Sequence, residues 1–433
     1  MNMQKAFLLA KDRTVEILLP SEWQVLTIAD FGPSTFRETP ETLASKALQD
    51  PVGALPLERQ LTAARTVTIL IEDLTRTSPK QAILKVLLNR LARIGIPPQK
   101  ICIVIALGTH RPLSRPELEA AFGKETVSAH EFINHDCRGS DLVPVGRLES
   151  GGRVTINRRV YEADFRIGIG SIFPHPLNGF GGGGKILFPG VANFEAIVEH
   201  HLRHSFRGKA CLGNVAGNPF YREVVEMARA GGLNFIINSV LDHTDSLHDL
   251  VCGDPVEAHL AGIEICRRIV SRPFPAPADV TVISAFPYAE GPQIVKPLAP
   301  AGQITRKGGA ILLHAECTIP LPEIYLAGCE RFRDRFGDDL RGAVLDHFAR
   351  NRPILADAPT ELNMAMAMTM LALHDFEVTL ITRDIPADQA ARLGFRYAPD
   401  MAAAIAGIAG EQDRPTVNIV PSGGVILPVV AGA

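Results

Sequence analysis

The stretch ICIVIALGTHRPL, residues 101–113, indicates the fold class of this chain. It opens with seven apolar residues, mostly β-branched, and a histidine lies shortly behind them. Continuous apolar runs of this kind are typical of strands that are buried on both faces, as in parallel sheets. Similar runs occupy residues 67–71, 165–172, 235–240, 280–286, 310–313, 378–382 and 417–420.

Amphipathic helical patterns lie between several of these predicted strands. In residues 78–94 the apolar side chains recur near a 3.6-residue period, and Ser78 before Pro79 is the pattern of a helix N-cap. Residues 218–230 and 255–270 show similar patterns. Strands that alternate with helices predict an α/β protein with mainly parallel sheets flanked by helices.

The chain of 433 residues is too long for one ordinary domain. The proline-rich segment SRPFPAPA at 271–278 has little periodicity and is predicted to be a linker. We therefore predict an N-terminal α/β domain over 1–270 and a smaller C-terminal α/β domain over 279–433, with the active site in the cleft between them. Residues 421–433 are predicted to form a loop and a tail.

Composition excludes several classes of partner and site. A net charge of −3 and a pI near 6.5 give no reason to expect nucleic acid or an anionic membrane. No apolar run reaches the ~18–20 residues that a membrane helix needs. The seven cysteines are scattered and form no CxxC pair, which argues against a disulfide framework or a zinc ribbon. The expected location is the cytoplasm.

The glycine cluster in PHPLNGFGGGGKILFPG, residues 174–190, is the most unusual part of the sequence. Glycines let a backbone approach a ligand closely and present its N–H groups to phosphate. The spacing matches a phosphate loop, but Ile186 replaces the hydroxyl residue that holds magnesium, so an NTPase is rejected. A flexible loop is one alternative. Another is that Lys185, partly desolvated, is a nucleophile and covalent anchor.

A second cluster contains the histidines of EHHLRH, which are His200, His201 and His204. On a helix, His204 shares a face with each of the other two. Imidazole suits nickel, zinc, copper and iron, whereas the HExxH pattern of zinc proteases is absent. Histidines on a helix surface are also common without a metal, and spacing alone does not decide between these alternatives.

Polar side chains follow three predicted strands. His110 and His175 each lie just behind one strand, and Asp73 lies behind another with Arg76 close by. Ligands of open α/β sheets bind at the carboxyl ends of the strands, so these groups are predicted to converge on one cleft. Two histidines suit chemistry that needs an acid and a base near neutral pH. Each group alone is equally compatible with capping a loop.

Gln293 and Lys296 lie in PYAEGPQIVKP, residues 287–297, directly after another predicted strand. An amide and an ammonium three residues apart are suited to hold a carboxylate. The alternative is the solvated start of a helix.

Together these segments resemble the lactate racemase family, whose members use a nickel-pincer nucleotide. The resemblance extends over residues 70–428. It includes, in family order, EDLTRTSP, GTHRPL, PHPLNGFGGGGKILFPGV, the EHH pair, and Gln293 with Lys296.

The resemblance implies specific roles for these residues. Lys185 would hold the pyridinium nucleotide covalently through a thioamide, and His201 would ligate its nickel. Further cofactor contacts are implied for Asp73, Leu74, Thr75 and Arg76. His110 and His175 would be the catalytic histidines. The substrate carboxylate would be bound by Arg76, Gln293 and Lys296.

The implied activity is that of a racemase or epimerase. It would invert the C2 centre of a small 2-hydroxy acid by removing a hydride and returning it to the other face of the keto acid. The implied partners are this acid and the enzymes that synthesise the cofactor. Near Gln293 the sequence departs from lactate racemases, since Pro292 replaces an aromatic residue and Glu290 lies close by. This difference predicts a longer and more polar substrate than lactate, such as a sugar acid.

Three other functions are compatible with parts of the pattern. A nicotinamide-dependent 2-hydroxyacid dehydrogenase shares the hydride chemistry, but no predicted strand leads into GxGxxG. A zinc hydrolase would use His200, His201 and His204. A non-catalytic protein that binds a sugar acid or a nucleotide is the third.

Overall fold

The computed structural model describes residues 3–32, 38–63, 65–75, 77–356, 358–412 and 414–432 of the chain. The chain forms two compact units. One consists of Met1–Pro33 together with Val270–Ala433, and the other of Ser34–Ile269. We call them the terminal unit and the central unit. Within the described ranges, none of the helices has an apolar stretch long enough to cross a bilayer.

The strands of the described residues, numbered along the chain, are β1 (Met3–Leu9), β2 (Thr14–Pro20), β3 (Gln24–Ile28), β4 (Val67–Glu72), β5 (Ile101–Ala106), β6 (Glu131–Asn134), β7 (Leu142–Arg147), β8 (Arg153–Asn157), β9 (Phe165–Ile172), β10 (Pro174–His175), β11 (Gly179–Phe180), β12 (Phe235–Leu241), β13 (Leu247–Gly253), β14 (Ser271–Phe274), β15 (Ala278–Ser284), β16 (Thr305–His314), β17 (Glu377–Ile381), β18 (Arg396–Ala398), β19 (Thr416–Val420) and β20 (Leu427–Val430).

The α-helices of the same residues are α1 (Pro40–Gln49), α2 (Leu57–Gln60), α3 (Lys80–Ile94), α4 (Arg115–Phe122), α5 (Lys124–Ala129), α6 (Arg158–Tyr161), α7 (Phe194–His204), α8 (Pro219–Ala230), α9 (Glu257–Val270), α10 (Leu298–Ile304), α11 (Glu323–Phe336), α12 (Leu340–Ala349), α13 (Thr360–Asp375), α14 (Ala387–Leu393) and α15 (Met401–Ala409). Short 3₁₀ helices cover Pro98–Lys100, Gly183–Ile186 and Gly291–Val295.

The central unit contains a six-stranded sheet in the order β13-β12-β9-β4-β5-β6. Its strands pair in parallel, except that β13 runs antiparallel to β12. The chain first moves outward from β4 through β5 to β6 and then returns to the other side of β4 with β9. The strand order therefore reverses between β4 and β9, and a crevice at the carboxyl ends of these strands is the usual ligand site of such a sheet.

The terminal unit contains a second six-stranded sheet, in the order β18-β17-β16-β15-β19-β3. All its described pairings are parallel. Its order reverses between β15 and β19. The β1–β2 hairpin packs on this sheet because Leu8, Leu19 and Trp23 share a buried apolar cluster with strands β15 and β16.

The predicted fold class is confirmed, since both main sheets are parallel or nearly so and helices lie between the strands. Each of the predicted strand segments overlaps an observed strand. The strand interiors are buried because both of their faces are covered; Ile69, Ile103 and Ile169, for example, are fully buried.

The division of the chain differs from the prediction. Residues 1–33 belong with the C-terminal residues because β3 pairs with β19. The predicted linker at 271–278 contains β14, which pairs in parallel with β20 inside the predicted tail. Both strands are short and contain proline, so they lack the periodicity that would have identified them.

The predicted N-cap of α3 was also wrong. The helix begins at Lys80, and Pro79 occupies the cap position without a side-chain hydrogen bond. The Ser78 hydroxyl instead donates to Glu72 at the end of β4, at 2.6 Å. The Ser78 side chain therefore bonds a residue at the end of β4 and does not cap α3.

Candidate active site

The ends of β4 and β5 bring Asp73 and His110 into direct contact. Nδ1 of His110 hydrogen-bonds Oδ2 of Asp73, and Asp73 is buried. Oδ1 of the same carboxylate accepts from the Thr75 backbone N–H at 3.0 Å and from its hydroxyl at 2.5 Å. Because a carboxylate only accepts, the contact assigns the ring proton to Nδ1 of His110. Nε2 is then the basic nitrogen.

The resemblance also implies cofactor contacts for the three residues after Asp73, and the structure describes two of them. Leu74 is exposed, with 39% of its surface accessible, and Thr75 caps the Asp73 carboxylate. Arg76 lies outside the described residues, and its predicted contacts remain a prediction.

His175 lies three residues after the carboxyl end of β9, on the other side of the strand reversal. Its Nδ1 accepts hydrogen bonds from the backbone N–H groups of Leu177 (3.2 Å) and Asn178 (3.1 Å). These contacts assign the ring proton of the neutral histidine to Nε2. His110 and His175 are therefore held in opposite tautomers, one with a basic Nε2 and one with an Nε2–H donor.

Lys185 lies beside this donor. Its Nζ is 3.4 Å from Nε2 of His175 and 5.5 Å from the centre of the Phe220 ring. If Nε2 carries the ring proton, it donates the hydrogen bond to Nζ. Lys185 can accept this bond only as a neutral amine, which is the nucleophilic form. The arrangement is thus compatible with a lysine that forms a covalent bond.

The glycines before Lys185 are required by close approaches of the backbone. Gly182 has φ +80°, and a Cβ there would lie 2.8 Å from Oδ1 of Asn238. A Cβ on Gly183, which has φ +59°, would lie 2.4 Å from Nδ1 of His259. The Gly183 N–H donates to Asn238 at 2.8 Å. Side chains at these positions would displace the loop that carries Lys185.

His201 lies on α7 with its ring in a defined tautomer. Its Nδ1–H donates to the carbonyl of Ile197 at 2.8 Å, which leaves the lone pair on Nε2. Burial lowers the pKa of His201 to about 3. A neutral imidazole of this kind is the form that binds a metal ion.

The neighbouring histidines form a separate, buried cluster. Ligand atoms of His200, His204 and Glu223 lie within 4.8 Å of one another. His204 Nε2 is 3.0 Å from the Glu223 carboxylate, and His200 Nε2 contacts the Phe220 carbonyl at 3.2 Å. Burial acts to raise the pKa of Glu223, but hydrogen bonds from His204 and from the Glu149 N–H lower it overall.

This cluster does not favour a zinc hydrolase. A hydrolytic zinc site keeps an open position for water, whereas all three residues are buried. The three histidines named for that alternative also do not form one group within the described part of the chain, where Glu223 and not His201 completes it.

Gln293 and Lys296 lie in the terminal unit, on the 3₁₀ helix and its cap behind β15. Lys296 Nζ donates to Oε1 of Gln293 at 2.9 Å and lies 4.6 Å from the centre of the Tyr288 ring. They follow β15, which borders the strand reversal of their sheet. The amide and the ammonium thus form one polar group at the usual ligand-binding edge.

Three contributors to the central unit were not predicted from the sequence. Asn238 binds the glycine loop, the His259 ring packs over Gly183, and Phe220 lies near Lys185. A polar residue within a buried strand was the available indication for Asn238. The His259 ring is buried and its Nε2–H donates to the Gly181 carbonyl, which fixes its orientation. Burial lowers the pKa of His259 to about 4.

Comparison with known proteins finds similarity to lactate racemases. The family model described as the lactate racemase N-terminal domain matches residues 11–212. A lactate racemase of Thermoanaerobacterium thermosaccharolyticum is 31% identical over 282 residues, which are 64% of this chain and 66% of that protein. A lactate racemase of Lactiplantibacillus plantarum is 32% identical over 274 residues, 62% of this chain and 64% of that protein. Each alignment thus covers slightly less than two thirds of the relative.

Solved structures extend the similarity of the fold to nearly the whole chain. The lactate racemase apoprotein of T. thermosaccharolyticum superimposes with a TM-score of 0.87 at 24% identity, over 98% of this chain and all of that one. A protein of Thermotoga maritima superimposes with a TM-score of 0.65 at 18% identity, over 91% of this chain. The domain match, the relatives and the motifs agree: residues 11–212 match the lactate racemase N-terminal domain, and the chain is similar to lactate racemases.

Proposed function

We propose that the chain is a racemase or epimerase that inverts C2 of a 2-hydroxy acid, with a nickel-pincer nucleotide bound covalently to Lys185. The observation that carries this proposal is the pair His110 and His175. They follow β5 and β9, the two strands that flank β4 at the reversal of one sheet, and are held in opposite tautomers. Such a pair supplies the base and the acid that an inversion needs.

The residues present fit this cofactor. His201 is neutral and has its Nε2 lone pair available, since Nδ1 is used for the Ile197 carbonyl. A pincer ligand brings donor atoms of its own, so one protein ligand is enough. Lys185 would hold the nucleotide, and Asp73, Leu74, Thr75 and Arg76 would contact it. When bound, the group supplies a hydride acceptor that can return the hydride to either face of C2.

The protein groups manage the protons and the orientation of the substrate. Nε2 of His110 takes the hydroxyl proton, while Asp73 holds the ring and stabilises its charge. When the oxygen is presented from the other face, His175 in its imidazolium form gives the Nε2 proton to it, and the neutral ring that remains can take the hydroxyl proton in the reverse direction. Arg76, Gln293 and Lys296 neutralise the carboxylate and fix the position of C2. The enzymes that synthesise the nucleotide are the partners that this proposal requires, and we keep the cytoplasm as the proposed location.

The origin of the hydrogen at C2 tests the chemistry. Cofactor-loaded enzyme is incubated with one enantiomer of a 2-hydroxy acid in D₂O, and the product is analysed by NMR and chiral chromatography. We expect inversion with protium retained at C2, since a hydride that is removed and returned does not exchange with solvent. Deuterium at C2 of the inverted product would instead show proton abstraction. Net oxidation of the acid with added NAD would favour a dehydrogenase.

Replacement of His201 tests the metal ligand. We expect His201→Ala to lose nickel and turnover, as measured by metal analysis of protein made together with the cofactor-synthesis enzymes. His200→Ala is the matched control and is expected to keep most of both. It should lower stability instead, by about 2–4 kcal/mol, because His200 is fully buried against the rings of Phe188 and Phe220. If His200→Ala loses nickel and His201→Ala keeps it, the nickel ligand is His200 and not His201.

A further inference from the structure

The terminal unit has a small pocket at the carboxyl edge of β15 and β16. Three parts of the chain form it: the turn between β1 and β2, the loop after β15, and the end of β16. The lining residues are Ala10, Lys11, Ser284, Phe286, Pro287, Tyr288, Ala289, His314 and Glu316. The pocket therefore combines apolar walls with several polar side chains.

His314, the last residue of β16, is a buried polar group in this lining. It is only 9% exposed, and no side-chain hydrogen bond is found for it within the described parts of the chain. Its ring nitrogens are not sealed off, since neither belongs to the buried polar atoms that lack a partner, so both can bond water or a ligand that enters the pocket. Burial lowers the pKa of His314, so its ring is neutral near pH 7. It thus offers the pocket one donor and one acceptor.

Glu316 adds a fixed acceptor at the same place. Its carboxylate accepts from the Arg13 guanidinium at 3.1 and 3.3 Å and from the Lys11 backbone N–H at 3.1 Å. These contacts hold the β1–β2 turn against the end of β16. A carboxylate has room for about four hydrogen bonds, so it can accept further donors from a ligand.

Tyr288 connects this pocket to the groups assigned to the carboxylate. Its side chain lines the pocket, and the centre of its ring lies 4.6 Å from Nζ of Lys296. Lys296 in turn contacts Gln293 at 2.9 Å. Tyr288 is therefore common to the groups assigned to the carboxylate and to the pocket that contains His314 and Glu316.

We infer that this pocket selects a 2-hydroxy acid with a hydroxylated chain, such as a sugar acid, and that His314 and Glu316 bind its hydroxyl groups. This inference rests on the proposed function, because it takes the carboxylate position from it. Hydroxyls both donate and accept, which matches the neutral imidazole and the carboxylate. The methyl group of lactate satisfies neither, and a site with buried polar groups discriminates strongly against analogues that leave them unpaired.

The test compares gluconate, malate, lactate and 2-hydroxybutyrate on wild type, His314→Leu, His314→Gln and Glu316→Gln. Binding is measured by calorimetry and kcat/KM on cofactor-loaded enzyme. For His314→Leu we expect roughly a tenfold or larger loss for gluconate, the usual scale for an unmade buried hydrogen bond, and no loss for lactate. His314→Gln should recover part of the loss. His374→Ala is the control, since His374 lies on α13, outside the pocket lining, and its ring bonds the Asp338 carbonyl.

The outcomes separate the two proposals. Gluconate affinity that depends on His314 in a protein that racemises no acid supports the pocket and overturns the proposed function. If His314→Leu racemises both acids and the ratio of kcat/KM for gluconate to kcat/KM for lactate is unchanged, the pocket assignment is overturned. The proposed racemase function is then unaffected. Lactate, 2-hydroxybutyrate or malate as the clearly preferred substrate of the wild type also overturns it, as does an absence of gluconate binding in either cofactor state. Melting temperatures show whether each variant is folded.

Discussion

Lys185→Ala is expected to carry no covalent nucleotide and to have no measurable turnover. The reason is geometric as well as chemical. The glycine loop fixes the position of this one amine, and its contact with Nε2 of His175 favours the neutral, nucleophilic form. The measurement is intact-mass analysis of protein produced together with the cofactor-synthesis enzymes. Wild type should show the mass of the chain plus the nucleotide.

Two controls make the result specific. Lys124→Ala removes an exposed lysine at the start of α5 and should keep both the adduct and the activity. Lys185→Arg keeps a long basic side chain but provides no amine that forms the thioamide, and it should also lack the adduct. A nucleotide that persists on Lys185→Ala, located by peptide mapping to another residue, would refute the anchor.

Much of this site could be predicted because parallel sheets place strand ends together. The apolar runs of β4, β5 and β9 identify buried strands, and each is followed within a few residues by a polar group. Once these strands share one sheet, Asp73, His110 and His175 are brought to one edge without further information. The sequence does not give the tautomers, since these depend on backbone N–H groups and on a carboxylate that only the folded chain positions.

The parts that were not predicted depend on pairing between distant residues. Strand β3 joins β19, and β14 joins β20, so neither the composition nor the periodicity of one segment reveals its partner. The pocket around His314 has the same origin. Glu316 and Arg13 are 303 residues apart in the chain, and they meet because the first residues pack on the sheet of the terminal unit.

Replacement of either catalytic histidine by alanine is expected to lower racemisation in both directions by at least ~100-fold, the usual scale for a general acid–base group. Inversion requires proton transfer on both faces of C2. His110→Ala removes the basic Nε2 that Asp73 supports, and His175→Ala removes the Nε2–H that the Leu177 and Asn178 N–H groups define. The loss of one histidine therefore blocks both directions and does not leave one of them fast.

The measurement is the initial rate from each enantiomer, normalised to the amount of nucleotide found by intact mass. This normalisation matters for His175, because its contact with Lys185 means that its removal also affects loading. His130→Ala is the control, since His130 caps α5 and its ring bonds the Thr126 carbonyl of that helix. The racemisation rate of Asp73→Asn should lie between the rates of the control and of His110→Ala, because the amide can hold the His110 ring in the wrong tautomer. A loaded His110→Ala or His175→Ala enzyme that racemises at a near-normal rate would remove that histidine from the mechanism.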